Sequence, residues 1–380
     1  MNSVYFDNSA TTSLSPTVFA EMSPFFLEEY GNPNSAHFMG SQAAEAVYES
    51  RSMIAQWLHG REYGVFYTSG GTESDNWAIR SAVRQSGKNR VIASAVEHKA
   101  VLATLHDMEQ NLGVEFVLLP VDSCGRVDPD SLRRAINNDT ALVSVMMANN
   151  ETGTIQFHEE LYDICRDHGI LFHCDAVQAM GKIPVSSSVA DMISLSGHKF
   201  HGPKGVGVLY VGENVSLEPF ICGGSQEGGL RGGTTPVPLV VGMGYALRTA
   251  ASTVASFAED VGALGKRLES GILDSIPNVS INGYPARRIP GLVNVCFRGI
   301  ESNSLVAALS RRYGICCSSG SACSEKNTKP SYVLRACGLS VADAHASVRF
   351  SLGNLNTVQE VDYVLSVLPP LVAELRKTGF

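Results

Sequence analysis

"VFYTSGGTESDNWAIRSAVRQSG", residues 65 to 87, decides the fold. A short aromatic and β-branched run, the length of a strand, meets two glycines. The segment that follows places its apolar residues at helical spacing. The same alternation spreads outward from this unit. "RVIASAVEH" (90–98) leads into "KAVLATLHDMEQNLG" (99–113), and "VEFVLLP" (114–120), "ALVSVMMANN" (141–150), "ILFHCDA" (170–176), "DMISLSGHK" (191–199) and "GVGVLYVG" (205–212) follow as further strands. Helical or turn segments such as "DPDSLRRAI" (128–136) and "FHEELYDICRDHG" (157–169) separate them. Strands alternating with helices imply crossover connections and a mostly parallel sheet covered on both faces. The expectation is an α/β protein with a large domain over residues 15–250.

A second region begins with "VPLVVGMGYALRTAASTVASFAEDVGALGKRLESGIL" (237–273), read as one long helix joining two halves. Short strands follow at "LVNVCF" (292–297), "GICCSS" (314–319) and "SVRFSL" (347–352), with a closing helix near "TVQEVDYVLSVLPPLVAELRK" (357–377). Residues 251–380, together with 1–14, are expected to form a smaller α+β domain. A chain of 380 residues is long enough for two cores.

Composition excludes several function classes. A net charge of −8 argues against nucleic acid as a general partner, since phosphate binding needs a basic surface. No run of 18 apolar residues occurs, so no membrane helix is expected. The start, "MNSVYFDNSATTSLSP", lacks the basic and apolar regions of a secretory signal. Nine cysteines without disulfide-style spacing fit a reducing cytoplasm, and no Cys/His spacing suggests a metal site.

Ligands of open parallel sheets bind outside the carboxyl ends of the strands. Polar groups follow five strands in turn: Ser69-Gly70-Gly71-Thr72, Glu97-His98, Asn149-Asn150-Glu151, Asp175 with Gln178, and Ser196-Gly197-His198-Lys199. Each has an ordinary structural reading. Thr72 is a helix cap with Glu73 and Asp75 in the first turn, Asp175 caps the next segment, His98 is structural and Lys199 sits in a surface turn. Together they describe a cofactor site. The glycine turn at a helix start suits an anion, with Ser196 and His198 beside it. Asp175 suits a carboxylate that keeps a heterocyclic nitrogen protonated, as pyridoxal phosphate requires, and Lys199 suits a desolvated amine that forms a Schiff base with an aldehyde. His98 then stacks on the ring face and serves proton transfer.

At this point the residues resemble a known family, the cysteine desulfurases. These are pyridoxal-phosphate enzymes of fold type I, class V, and the likeness is to their NifS- and IscS-like iron–sulfur-assembly branch. The motifs that carry it run in order through the chain: "YFDNSATT", "GNPNSAH", "TSGGTESDN", "EHKAV", "NNETG", "FHCDAVQ", "SGHKFHGPKG", "GTTPV", "SSGSACS", "PSYVLRA" and "VRFSLG". By resemblance, Lys199 matches the Schiff-base lysine and Asp175 the pyridinium partner. Gln178 matches the donor to the phenolic oxygen, and His98 the stacking histidine. Gly71, Thr72, Ser196 and His198 match phosphate ligands, and Asn150 an asparagine near cofactor and substrate. Thr234 matches a threonine that reaches the phosphate of the neighbouring subunit, which implies a homodimer. Arg349, assisted by Asn32, matches the group that pairs with the substrate carboxylate. Cys323, in the small and polar "SSGSACSEKNTK", matches the catalytic cysteine, while Cys174, Cys296, Cys316 and Cys317 lie in apolar runs as structural thiols.

The resemblance implies conversion of L-cysteine to L-alanine, with the sulfur passing to Cys323 as a persulfide and on to an acceptor such as an iron–sulfur scaffold protein. A selenocysteine lyase or a class V aminotransferase on the same fold is the alternative enzyme, and a sulfur-relay adaptor the non-enzymatic one. The sequence departs from the family at Gly228, where arginine is common, and at Gly232, where serine is common; it also stops at "ELRKTGF", without the longer tail of some relatives.

Overall fold

The computed structural model describes residues 3–319 and 329–378. A short strand, β1 (Val4–Tyr5), opens the chain. The central sheet then takes β2 (Val65–Thr68), β3 (Arg90–Ser94), β4 (Glu115–Leu119), β5 (Thr140–Ser144), β6 (Leu171–Asp175), β7 (Met192–Ser196) and β8 (Gly207–Val211). Their order across the sheet is β2-β8-β7-β6-β5-β3-β4. β8 runs antiparallel to both its neighbours, and the other pairings are parallel. The reversal follows from the tight turn after Lys199, where Gly197 N–H donates to Val206 O (3.1 Å) and Gly202 N–H to Gly197 O (2.9 Å).

Alternate residues of these strands feed two cores, as the period of two requires. Ile92, Val143, Ile193 and Val208 face one core with Phe172 and Cys174. Val91, Leu142, Met192 and Leu209 face the other, against Trp77 of the helix Gly71–Ser86. Burial on both sides explains why β5 to β8 read as near-continuous apolar runs.

A separate core gathers Val4 and Phe6 with Phe257, Leu268, Val293, Phe350 and Leu368. Its sheet joins β9 (Val279–Asn282), β10 (Leu292–Phe297), β12 (Ser318–Ser319) and β13 (Ser347–Ser351) in the order β12-β13-β10-β9. Between these, β11 (Ile315–Cys316) pairs in parallel with β1. The expected long helix is in fact two, Val237–Ser252 and Val254–Ser275. Thr253 separates them at φ −109°, ψ 8°. Its Oγ1 donates back to Thr249 O (3.1 Å) and Ala250 O (3.2 Å), a local bond that competes with helix continuation. Among the described residues, no helix is long and apolar enough to cross a membrane.

Candidate active site

The carboxyl ends of β2, β3, β5, β6 and β7 open on one cavity of about 240 Å³. Gly71, Thr72, His98, Asn150, Asp175, Gln178, Ser196, His198 and Lys199 line it, together with Asp75, Met146 and Val177. These nine expected residues therefore meet at one place, as the strand-end argument requires.

The helix Gly71–Ser86 starts at the cavity, and the amides of its first turn have no intrahelical partner. A Cβ on Gly71 would come 2.6 Å from Val177 Cγ2, so the turn admits a ligand close to the backbone but no side chain at this position. Ser196 closes β7 beside it and is 3% exposed. His198 Nδ1 lies 3.1 Å from Thr11 Oγ1. Burial, and then the nearby Lys199 charge, push the His198 ring down to about 4, so it faces the cavity as a neutral imidazole.

Asp175, at the end of β6, is buried, and its Oδ1 accepts the amide of Val177 (2.9 Å). Burial raises its carboxyl above the ordinary range, while His98, that amide and Lys199 act in the opposite direction. His98 caps the helix Lys99–Leu112, its Nδ1 accepting Ala100 N–H at 3.2 Å. That bond leaves Nε2 for other contacts. Burial lowers the ring's pKa and the Asp175 charge opposes this. Ligand atoms of Asp75, His98 and Asp175 all lie within 4.8 Å of one another. Gln178 Nε2 donates to Ser9 O (2.8 Å), while its Oε1 is buried without a hydrogen-bond partner among the described residues.

Lys199 Nζ donates to the carbonyls of Ser9 (2.7 Å) and Ala10 (2.9 Å). The N-terminal segment thus crosses the site, and Thr12 N–H fixes it to His198 O at 2.9 Å. Behind Lys199 lies a second, mostly apolar cavity of about 170 Å³, also lined by Lys182. Lys182 Nζ donates to Gln178 O (3.1 Å), and burial draws its amine down to about 7.

The remaining expected residues lie outside the lining. Arg349, on β13, is 2% exposed; it donates to Asn150 O (2.8 Å) and to Asp7 Oδ1 (2.7 Å). It therefore reaches the cavity's edge through the backbone of Asn150. Asn32 is exposed, and its Oδ1 accepts Asn34 N–H at 3.0 Å. Thr234 is exposed and does not line its own chain's cavity. Cys323 falls outside the described residues. Cys174, Cys296 and Cys317 are buried and Cys316 partly so. Burial pushes the Cys296 thiol up to about 11 and raises those of Cys174 and Cys317 as well. Cys222 is exposed, in a glycine-rich stretch that sequence reasoning passed over.

Sequence reasoning also missed two parts of the site. Asp75 is 1% exposed, and its Oδ1 has no hydrogen-bond partner among the described residues. Burial, and then the charge of Asp175, raise its pKa well above the usual range. Its signal was available: position 75 lies one turn beyond Gly71 in the helix that starts at the cavity. The other is Asp7-Asn8-Ser9-Ala10, which supplies the carbonyls that hold Lys199 and the carboxylate that holds Arg349.

The chain matches the model of the family aminotransferase class-V over residues 4–364. The chain belongs to that family. A cysteine desulfurase of Gluconacetobacter diazotrophicus is 45% identical, over 99% of this chain and 95% of its own. The cysteine desulfurase IscS of Methanosarcina thermophila is 44% identical, over 98% and 93% respectively. Among solved structures, a NifS-like protein superimposes with a TM-score of 0.92 at 38% identity, covering 98% of this chain and all of the other.

In this member of the class-V family, the loop with the two departures is held by two ion pairs. Arg51 Nη2 donates to both carboxylate oxygens of Glu227 (2.9 and 3.1 Å), and Glu227 Oε2 also accepts Tyr67 N–H (3.0 Å). Arg231 binds Glu73, in the first turn of the cavity helix, at 2.9 and 3.2 Å. Gly228 takes φ +67°, a left-handed conformation that suits glycine. A Cβ on Gly232 would lie 2.7 Å from Gly223 Cα, so the two backbones pack closer than a side chain allows.

Proposed function

We propose that this enzyme is a pyridoxal-phosphate-dependent cysteine desulfurase, with Lys199, Asp175 and Cys323 as its central residues. The observation that carries the reading is the cavity itself. It joins an anion-accepting helix start, a buried carboxylate and a lysine at neighbouring strand ends, in a chain of this family. The residues fit the cofactor. Gly71 leaves the backbone open to a phosphate, Asp175 offers a buried acceptor to a protonated ring nitrogen, and Gln178, whose Oε1 has no hydrogen-bond partner among the described residues, is a ready polar contact for the ring. When bound, the cofactor supplies an electron sink for charge formed at the substrate's α-carbon.

The chain's own groups supply the rest. Gly71, Thr72, Ser196 and His198 hold the phosphate, His98 covers the ring face, and Asp175 keeps the ring nitrogen protonated. Lys199 takes the proton from the α-carbon of L-cysteine. Arg349 and Asn32, with Asn150, orient the substrate carboxylate. The Cys323 thiolate attacks the substrate sulfur. The carbon–sulfur bond breaks with its electron pair left on carbon, the substrate's thiol proton is released, and the sulfur stays on Cys323 as a persulfide. The β-carbon takes up one proton and the α-carbon regains another, which gives L-alanine. Thr234 is exposed on its own chain and completes the phosphate site of a second subunit, so the working unit is a homodimer. The free thiols at the eight described cysteines fit a reducing cytoplasm. Passage of the sulfur to an acceptor such as an iron–sulfur scaffold protein completes the cycle.

The division into a large domain over residues 15–250 and a small one over 1–14 and 251–380 belongs to the same proposal; the separate core of Val4 and Phe6 with residues after 256 supports it. Incubation of the purified protein with L-cysteine and a thiol reductant tests the activity. Alanine and sulfide should appear in equal amounts, whereas a keto acid in place of alanine would make it an aminotransferase.

A further inference from the structure

The residues that flank the segment carrying Cys323 are bonded, on both sides, to groups adjacent to the lining of the active cavity. Upstream, Ser318 and Ser319 pair with Arg349 and Val348 of β13. Downstream, Ser331 begins the helix Tyr332–Ala336 and is 4% exposed. Its Oγ accepts Leu334 N–H at 3.1 Å and donates to Glu151 Oε2 at 2.5 Å. Tyr332 OH donates to the carbonyl of Glu97 at 2.5 Å. Consecutive residues thus seat on Glu97 and Glu151, the direct chain neighbours of His98 and Asn150.

Glu151 is built to hold a position. Its amide donates to Asn149 Oδ1 (2.9 Å), and its carbonyl accepts Asn294 Nδ2 (2.9 Å). Asn294 Oδ1 in turn accepts Asn282 Nδ2 (2.8 Å), which ties the loop to β9 and β10. The side chain is 7% exposed and does not line the active cavity. Ser331 already caps its helix through the Leu334 amide, so the helix start does not by itself require a carboxyl at Glu151. That bond instead fixes the chain's re-entry point relative to Asn150.

We propose that Glu151 is a positioning residue for the sulfur-accepting step, acting through Ser331 to fix where the chain returns eight residues after Cys323. The inference rests on the reading of Cys323 as the sulfur acceptor. Glu151 touches neither substrate nor cofactor, so proton removal at the α-carbon proceeds without it, and the approach of the thiolate to the substrate sulfur does not.

The test uses the cofactor-loaded enzyme with Glu151→Ala, Glu151→Gln and Ser331→Ala. One readout is exchange of the α-proton of L-alanine with deuterated water, followed by NMR, which requires no cysteine nucleophile. The other is single-turnover persulfide formation on Cys323 from L-cysteine, followed by mass spectrometry. Loss of one buried hydrogen bond and of the geometry it sets is expected to slow persulfide formation about tenfold or more in both alanine variants. The α-proton exchange should stay within about twofold of wild type by the same argument. Glu151→Gln keeps an acceptor for Ser331 and should recover most of the rate. Parallel loss of both readouts, or wild-type persulfide rates in Ser331→Ala, overturns the inference alone. Wild-type enzyme that forms no persulfide on Cys323 overturns the functional reading, and this inference with it.

Discussion

Lys199 is held by Ser9: the lysine Nζ donates to the Ser9 carbonyl at 2.7 Å, the same oxygen that accepts Gln178 Nε2 at 2.8 Å. The N-terminal segment therefore sets the direction in which the amine projects. Lys199→Ala is expected to lose the visible absorption of the bound cofactor and all turnover. Borohydride reduction and peptide mapping should place the cofactor on Lys199. Lys182 is the natural competitor, because burial draws its amine to about 7. It lines the apolar cavity behind Lys199 and not the active one. Label on Lys182 or Lys204 would contradict the assignment.

Thr234 separates a site built by one chain from a site shared by two. Loss of one hydrogen bond to a charged phosphate, worth about 1.5–3 kcal/mol, should weaken cofactor retention about tenfold or more in Thr234→Ala. The sharper experiment pairs a Thr234→Ala chain with a Lys199→Ala chain at limiting cofactor. If Thr234 serves the partner's phosphate, one site in each mixed dimer is intact and about half of the wild-type activity returns. If each threonine serves its own chain, no intact site forms, and the mixed dimer will show no more activity at limiting cofactor than Thr234→Ala alone.

Glu97 gives the fold a pH signature. Burial raises its carboxyl to about 8, against a reference of 4.5. The folded state thus holds a proton that the unfolded chain has released, so this contribution to stability is complete below the unfolded value and is lost as pH rises through the folded one. Replacing Glu97 by the neutral glutamine removes that dependence. Thermal midpoints at pH 5 and pH 8 should show Glu97→Gln gaining on wild type at the higher pH. An equal offset at both values would show that the carboxyl does not titrate in this window.

The central sheet was legible because strands buried on both faces read as continuous apolar runs, and helices betray their period. The cavity was legible for a related reason: every residue that follows a parallel strand lands on the same edge. What the sequence hid are contacts made across hundreds of residues. Asp7 sits 342 positions from the arginine it holds, and Ser9 190 from Lys199. Nothing local marks either pairing. The break at Thr253 was hidden as well, since a threonine is acceptable inside a helix and only its bonds to Thr249 O and Ala250 O turn it into a boundary. In the sequence Asp75 reads only as a first-turn acid, because its burial depends on the sheet beneath it.

The most direct test of the desulfurase reading is mass-spectrometric mapping of sulfur on the protein after a single turnover with L-cysteine. The thiols of Cys165 and Cys337 are pushed up to about 12 by burial, so neither supplies a thiolate near neutral pH. Cys222 is exposed and is the credible rival. The account predicts one added sulfur on the peptide that contains Cys323, with alanine formed in equal amount. It also predicts that Cys323→Ser retains the coloured cofactor but gains no sulfur. Sulfur found on Cys222, or alanine and sulfide released at wild-type rates by Cys323→Ser, would contradict it.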